Sequence, residues 1–254
     1  MEASEYKMHY YAANNQDLRL KIRIFIALLS LILSICLLPF FVNSSFNFPT
    51  TWPALSDTSK ILVFPIVFSL LYALYDRLLW KFNPFDGIPI LYGTWIGIAD
   101  NQRAKDPPRL EQMLIEQTWS QISVSINVYE QNPLDPKSWH NAKKLGAEYS
   151  TNAFISECLH GQAKFNFQYG HDDEAKGQSS FGGSFFLRYN HERKKKESVY
   201  KLKGKYCTTK KIDGYEGIFG RISFRRISSK VLGFSDALAQ GQYYLDSLAK
   251  DVKE

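Results

Sequence analysis

The feature that most constrains this chain is a run of 19 uncharged residues, 24–42, of which 16 are Ala, Val, Ile, Leu, Phe or Cys. A helix rises about 1.5 Å per residue, so about 20 apolar residues cross the hydrocarbon core of a bilayer. A cleavable signal peptide is the alternative, but its apolar part is usually about 7 to 15 residues long. No Ala-x-Ala cleavage site follows the run. It therefore predicts a transmembrane helix.

A second apolar run, residues 61–80, holds 15 uncharged residues before Asp76 and Arg77. These two charges lie close to the end of the run, where they can reach the headgroup region. The alternative is a buried core helix, which the charged pair and Pro65 weaken. We therefore expect a second span and a two-helix transmembrane hairpin over residues 22–81.

Basic residues near the ends of the two runs predict the orientation of the hairpin. They lie before the first run and after the second, whereas the loop 43–60 holds one basic residue, Lys60. Because basic residues collect on the cytoplasmic side of a membrane, both termini are expected to be cytoplasmic. The residues that carry this argument are Arg19, Lys21, Arg23, Arg77 and Lys81.

Outside the hairpin, the sequence predicts a cytoplasmic N-terminal segment (residues 1–21), a linker (82–90) and a cytoplasmic domain (91–254). The domain is predicted to be β-structure, because apolar and polar residues alternate in short segments along it. The clearest alternation places Ile122, Val124, Ile126 and Val128 on one face of a strand. Consecutive strands joined by turns favour an all-β antiparallel meander closed into a barrel, followed by a closing helix over 234–252. The predicted strands are residues 91–99, 118–129, 147–158, 162–169, 181–190, 198–207 and 215–227.

The motifs of common enzymes and metal sites are missing from the sequence. Its three cysteines have no CxxC spacing and its five histidines no HExxH pairing, which argues against a disulfide framework or zinc site. No P-loop, G-x-G-x-x-G or G-x-S-x-G motif is present. We therefore expect no cofactor and no catalytic activity.

Positive charge is concentrated near the end of the predicted barrel. Residues 188–230 hold 14 basic and 4 acidic side chains, a net charge of +10. Either a phosphate-bearing ligand or the anionic cytoplasmic leaflet would suit this distribution. Arginine binds phosphate with two parallel hydrogen bonds, and aromatic rings stack on bases. The candidate phosphate contacts are Arg188, Arg221 and Arg225, and the candidate stacking rings are Trp95 and Tyr206.

Two short motifs carry a family resemblance. Gly93-Thr94-Trp95 opens the predicted barrel and resembles the Gly-x-Trp motif of lipocalins, in which the tryptophan plugs one end of the barrel under a late-strand arginine. For Trp95, plugging is an alternative to ligand stacking. Together with Gly214-Tyr215-Glu216-Gly217 before an arginine-rich final strand, and with the two-helix hairpin, the chain resembles the two-transmembrane, β-strand-rich effectors of bacterial CBASS anti-phage systems.

This resemblance implies a function and a location. In that family a cognate nucleotidyltransferase responds to infection by making a cyclic oligonucleotide, the barrel binds it, the protein oligomerises, and the spans disrupt the inner membrane. The expected partners are thus a cyclic di- or trinucleotide, the lipid bilayer and further copies of the chain, but no long nucleic acid. The expected location is the bacterial inner membrane, with several spans.

Two other functions remain open from the sequence. A membrane-tethered, lipocalin-like carrier of a lipid or other apolar ligand would explain Trp95 and the aromatic strands without internal arginines. A structural interaction module, with a barrel interior filled by its own side chains, would bind neither ligand class.

Overall fold

The computed structural model describes residues 9–10, 12–13, 16–43, 53–82, 88–101, 108–129, 144–159, 162–171, 181–194, 197–212 and 215–244. The chain divides into two compact units. The first is the helical unit, residues 15–86, and the second combines residues 1–14 with residues 87–254. Most of the predicted linker at 82–90, residues 83–87, lies outside the described residues.

The helical unit contains α1 (Gln16–Asn43), α2 (Pro53–Arg77) and a 3-10 turn (Leu79–Phe82). Both apolar runs of the sequence are therefore helical, and the two helices contact each other. Ile26, Ser30 and Ser34 recur every four residues along α1 and are buried. The hydroxyl groups of Ser30 and Ser34 donate to the carbonyl oxygens of Ile26 and Ser30, at 2.6 and 2.7 Å. These bonds satisfy both buried hydroxyl groups within the helix itself.

The rest of α1 presents large apolar side chains outward. Phe25, Ile32 and Ile35 are 66%, 58% and 62% exposed. Within the described residues, one helix, around Arg19–Leu37, has the length and hydropathy needed to cross a membrane, judged by those two criteria alone. The prediction of two such helices is thus confirmed for one. The second run contains Pro65 and carries Asp76 and Arg77 near its end, and its crossing of a membrane stays a prediction.

The second unit is a closed, eight-stranded antiparallel β-barrel with a C-terminal helix. Each strand pairs with its neighbours in sequence, and β3 pairs with β10 to close the barrel. Seven of these strands match predicted ones, whereas β4 was missed. The barrel strands are β3 (Gly93–Asn101), β4 (Arg109–Gln117), β5 (Gln121–Tyr129), β6 (Lys144–Leu159), β7 (Gln162–His171), β8 (Phe181–Lys194), β9 (Glu197–Ile212) and β10 (Tyr215–Ser228).

Two short strands from the start of the chain belong to the same sheet. β1 (His9–Tyr10) pairs antiparallel with β5, and β2 (Ala12–Ala13) pairs parallel with β6. The sequence predicts residues 1–21 as an N-terminal segment separate from the barrel. Two-residue strands are too short to show an alternating pattern, so nothing in the sequence indicated them.

The barrel interior is filled by alternate residues of its strands. Large inward side chains from six strands are almost completely buried, so they form the main core. Gly97 lies opposite Phe224 in the β3–β10 register, and a Cβ atom at this glycine would overlap the Phe224 ring. The small residue therefore makes room for the large one. The largest inward side chains are Trp95, Met113, Phe165, Phe167, Phe185, Leu187, Leu202 and Phe224.

A helix covers part of the outer barrel surface. α3 (Phe234–Gly241) forms the first part of the helix predicted over 234–252, and a 3-10 turn (Gln242–Tyr244) follows it. Residues from 245 onward lie outside the described part. Ala237 and Leu238 pack on a cluster that includes Ile96 and Leu110. The Tyr129 and Phe234 rings stack with centroids 3.7 Å apart. β3, β4 and β5 are thus covered on their outer face, whereas β7, β8 and β9 have exposed outer side chains.

Candidate functional site

Trp95 lies at the end of the barrel where β3 begins. It is fully buried, and its indole nitrogen donates to the Leu91 carbonyl oxygen at 2.8 Å. Its register partner on β10 is Arg226, whose Nη1 atom donates to the Ile90 carbonyl oxygen at 2.9 Å. The Arg226 guanidinium carbon lies 4.2 Å from the centroid of the Tyr200 ring. The plugging role considered for Trp95 therefore agrees with its position, and the late-strand arginine at this end is Arg226.

Tyr206 lies in the barrel interior and packs within a group of aromatic rings. Its ring centroid is 5.8 Å from that of Phe185, which lies 4.7 Å from Phe167 and 5.0 Å from Tyr169. Opposite Tyr206 on β10 is Gly220, where a Cβ atom would overlap the Tyr206 ring. Burial is the main cause that raises the pKa of Tyr206 above its usual value. Tyr206 is thus a packed interior residue.

Two carboxylates, those of Glu111 and Glu148, interact electrostatically with each other and with Tyr169 and Tyr206. Glu111 is 6% exposed, and its Oε2 atom has no hydrogen-bond partner among the described residues. Burial, followed by the Glu148 carboxylate, raises the pKa of Glu111 well above its usual value, while Arg109 opposes the shift. Glu148 and Glu111 also contribute to the raised pKa of Tyr169, after burial. The sequence does not indicate that Glu111 and Glu148 interact, because they lie on separate strands.

The three candidate arginines lie on the outer face of the barrel. Arg188 is between the buried residues Leu187 and Tyr189, and it is exposed. Arg221 and Arg225 alternate with Ile222 and Phe224, which point inward. The five candidate site residues therefore do not form one pocket: Trp95 and Tyr206 are inside, and the arginines are outside. The physical reason is that inward positions of β8 and β10 are taken by large apolar side chains.

Arg225 also has a partner in the C-terminal part. Its guanidinium carbon lies 3.2 Å from the centroid of the Tyr244 ring, just after α3. Such a cation–π contact contributes about 0.5 to 2 kcal/mol, depending on exposure. Arg225 therefore holds the 3-10 turn that follows α3 against the barrel.

A basic groove of about 560 Å³ runs over the outer faces of β7, β8 and β9. Lys164 lies opposite Arg188, and Arg188 lies opposite Lys203, so three cationic side chains form one row across three strands. Neighbouring strands are about 4.8 Å apart, and like charges directly opposite each other are destabilising. A bound anion would relieve this repulsion. The residues that define the basic groove are Lys164, Asn166, Phe186, Leu187, Arg188, Asn190, Lys203, Gly204 and Lys205.

A second, smaller groove adjoins the basic groove and shares Asn166 and Phe186 with it. Its volume is about 190 Å³. Phe154 and Phe186 are 41% and 55% exposed, although outward positions elsewhere on these strands are polar. Exposed rings beside cationic side chains can stack on flat groups of a ligand. Asn166 lies between the two rings in the strand register, and the next row of the groove is formed by Asn152, Gln168 and Ser184.

Of the predicted site residues, Arg188 alone lines the basic groove. Lys203 and Lys205 belong to the basic segment 188–230, but they were not among the candidate site residues. Lys164 alternates with Phe165 and Phe167, which indicates its outward position once those rings are placed inside. Only the strand register shows that these residues meet Arg188. In the described part of the chain, no three His, Cys, Asp or Glu side chains are grouped for metal binding.

No protein family, curated protein or solved structure matches this chain at a significant level. The similarity to two-transmembrane CBASS effectors therefore rests on organisation and short motifs alone. It supplies a hypothesis, to be weighed by what the basic groove can bind.

Proposed function

We propose that this protein is a membrane-anchored receptor whose barrel binds a cyclic di- or trinucleotide in the basic groove. The observation that carries the proposal is the row of Lys164, Arg188 and Lys203 across three strands. None of the groove residues is acidic, and Phe186 offers an exposed ring beside the cationic row. A ligand with phosphates and flat bases matches both features. In this proposal the phosphate contacts lie on the outer face of the barrel.

We also propose that ligand binding leads to membrane disruption, as in the effectors that the chain resembles. The outward apolar side chains of α1 need a lipid or protein environment, because a large exposed apolar surface is rare in a soluble monomer. The contact between α1 and α2 supports a paired helical hairpin. Association of ligand-bound barrels would bring several hairpins together in the inner membrane. This role has no catalytic step.

The first test is thermal stabilisation of the full-length protein in detergent by a panel of cyclic di- and trinucleotides. A ligand that binds only the folded state raises its stability in proportion to the logarithm of ligand concentration above Kd. We expect stabilisation by at least one panel member and a loss of that shift in Arg188→Ala and Lys203→Ala. The matched control is Lys144→Ala, which removes one exposed positive charge outside the groove. A panel without any shift would contradict the proposal.

An anionic lipid headgroup also carries a phosphate group, so a second experiment distinguishes binding of a cyclic oligonucleotide from binding of anionic lipid. The purified protein is reconstituted into neutral vesicles and into vesicles with anionic lipid, each containing a trapped dye. We expect dye release on adding the stabilising cyclic oligonucleotide to neutral vesicles. Release that needs only anionic lipid, and that the groove variants abolish, would assign the groove to the membrane surface instead.

The filled interior weighs against the lipid-carrier alternative. A lipid would have to displace buried rings such as Phe165, Phe185 and Phe224, each at most 2% exposed. Displacing well-packed side chains costs several kcal/mol. Binding of a fluorescent fatty acid, unaffected by Arg188→Ala, would favour the carrier over the receptor.

A further inference from the structure

The barrel has a seam between β5 and β6. These strands pair directly over five register positions, from Ser125 with Tyr149 to Tyr129 with Lys144. Beyond this stretch the register ends, and the Val124 amide donates to the Ser150 side-chain oxygen at 2.9 Å instead. The first residues of β5 and the second half of β6 therefore offer edges to another part of the chain.

The start of the chain occupies this seam. His9 and Tyr10 pair with Ile122 and Gln121 of β5. Ala12 and Ala13 pair with Phe154 and Ile155 of β6. We call residues 9–13 the strap, because one short segment joins both edges of the seam. Two residues later the chain enters α1 at Gln16, so the strap is directly linked to the apolar helix.

Four register pairs join the described backbone of the strap to the barrel. Each backbone hydrogen bond contributes a net amount of about 0.5 to 1.5 kcal/mol, whereas ordering one residue's backbone costs about 1 to 2 kcal/mol. These opposing contributions are similar in size, so the strap belongs to the least stable parts of the sheet. It can therefore leave the seam while the barrel remains folded.

An open seam would expose unpaired edges of β5 and β6. Such edges bind further strands readily, and the same segment of another copy carries the matching sequence. In the membrane-anchored receptor proposed above, on which this step rests, copies share one membrane and therefore have a high effective concentration, which favours exchange. We propose that the β5–β6 seam is an exchange site that binds the strap of a second copy, which links neighbouring barrels.

Cysteine pairing between two differently tagged chains tests this inference without any ligand. Both chains carry serine at Cys36, Cys158 and Cys207; one carries Tyr10→Cys and the other Gln121→Cys. These positions are antiparallel register partners, which lie about 4.5 to 5.5 Å apart and within reach of a disulfide. After co-expression and mild oxidation of the membranes, we expect a disulfide-linked dimer that contains both tags.

Two controls make each outcome decisive. Pairing Tyr10→Cys with Lys205→Cys, an exposed position on β9 outside the seam, should give no dimer above background. Placing Tyr10→Cys and Gln121→Cys in one chain should close an internal disulfide and reduce dimer formation. An internal disulfide without mixed dimers would show that the strap stays in its own barrel. Equal crosslinking at Lys205, or no disulfide in either arrangement, would also overturn the inference.

Discussion

Replacing Glu111 by glutamine tests whether the barrel interior holds a protonated carboxyl group. Glu111 is 6% exposed, and burial and the Glu148 carboxylate raise its pKa well above the usual 4.5. A raised pKa stabilises the folded state fully below the unfolded pKa, and this stabilisation is lost as pH rises through the folded pKa. Wild-type stability should therefore fall above about pH 4.5 relative to the glutamine variant, which has no proton to release.

The size of this effect follows from the number of protons involved. While folded Glu111 keeps its proton and the unfolded chain releases it, the difference grows by up to about 1.4 kcal/mol per pH unit. Between pH 5 and pH 7, Glu111→Gln should thus gain up to about 2.7 kcal/mol relative to wild type. Arg109, Glu148, Tyr169 and Tyr206 interact electrostatically with Glu111 in the folded state.

The assay is denaturant unfolding of the full-length protein in detergent at pH 5, 6 and 7. Glu116→Gln removes the same charge from the outer face of β4, so it serves as the matched control. The glutamine variant at position 111 should become progressively more stable than both wild type and this control. A relative stability that stays constant or falls with pH would show that Glu111 is ionised in the folded barrel, and the reasoning would be refuted.

Two further substitutions test the packing of the barrel. Gly97→Ala places a Cβ atom against the Phe224 ring and should lower the free energy of unfolding by about 1 to 3 kcal/mol, whereas Gly233→Ala, which has open space, should be tolerated. Arg226→Met removes the hydrogen bond to the Ile90 carbonyl and should cost about 1 to 3 kcal/mol by thermal unfolding. Unchanged stability in either case would contradict the described contacts.

Seven barrel strands were predictable because apolar and polar residues alternate along them. β4 was missed because it lacks this alternation. Leu110 and Gln112 are buried on the outer face, which α3 covers, and Glu111 and Gln117 are buried on the inner face. Binary patterning works when one face is exposed, and this strand has almost no exposed face. The closing helix was predicted at the correct start, Phe234, from its apolar spacing.

The candidate site was only partly predictable. Arg188 was identified because it carries charge in a basic, aromatic region, and alternation with Leu187 and Tyr189 indicates that it points outward. Its neighbours Lys164 and Lys203 come from strands before and after it in the chain, and they meet it only through strand register. One sequence alone gives no register, because sliding a strand by two residues preserves its inward and outward faces.

The most direct test of the receptor proposal is a calorimetric titration of the full-length protein with the cyclic oligonucleotide that stabilises it best. The comparison is with the Arg188→Ala/Lys203→Ala double variant. Each hydrogen bond to a charged group contributes about 1.5 to 3 kcal/mol, and about 1.4 kcal/mol changes Kd tenfold. The double variant should therefore bind at least about 100-fold more weakly, while its unfolding midpoint without ligand stays at or above that of wild type because two like charges have left the row. Equal affinity in the two proteins would contradict binding in the basic groove.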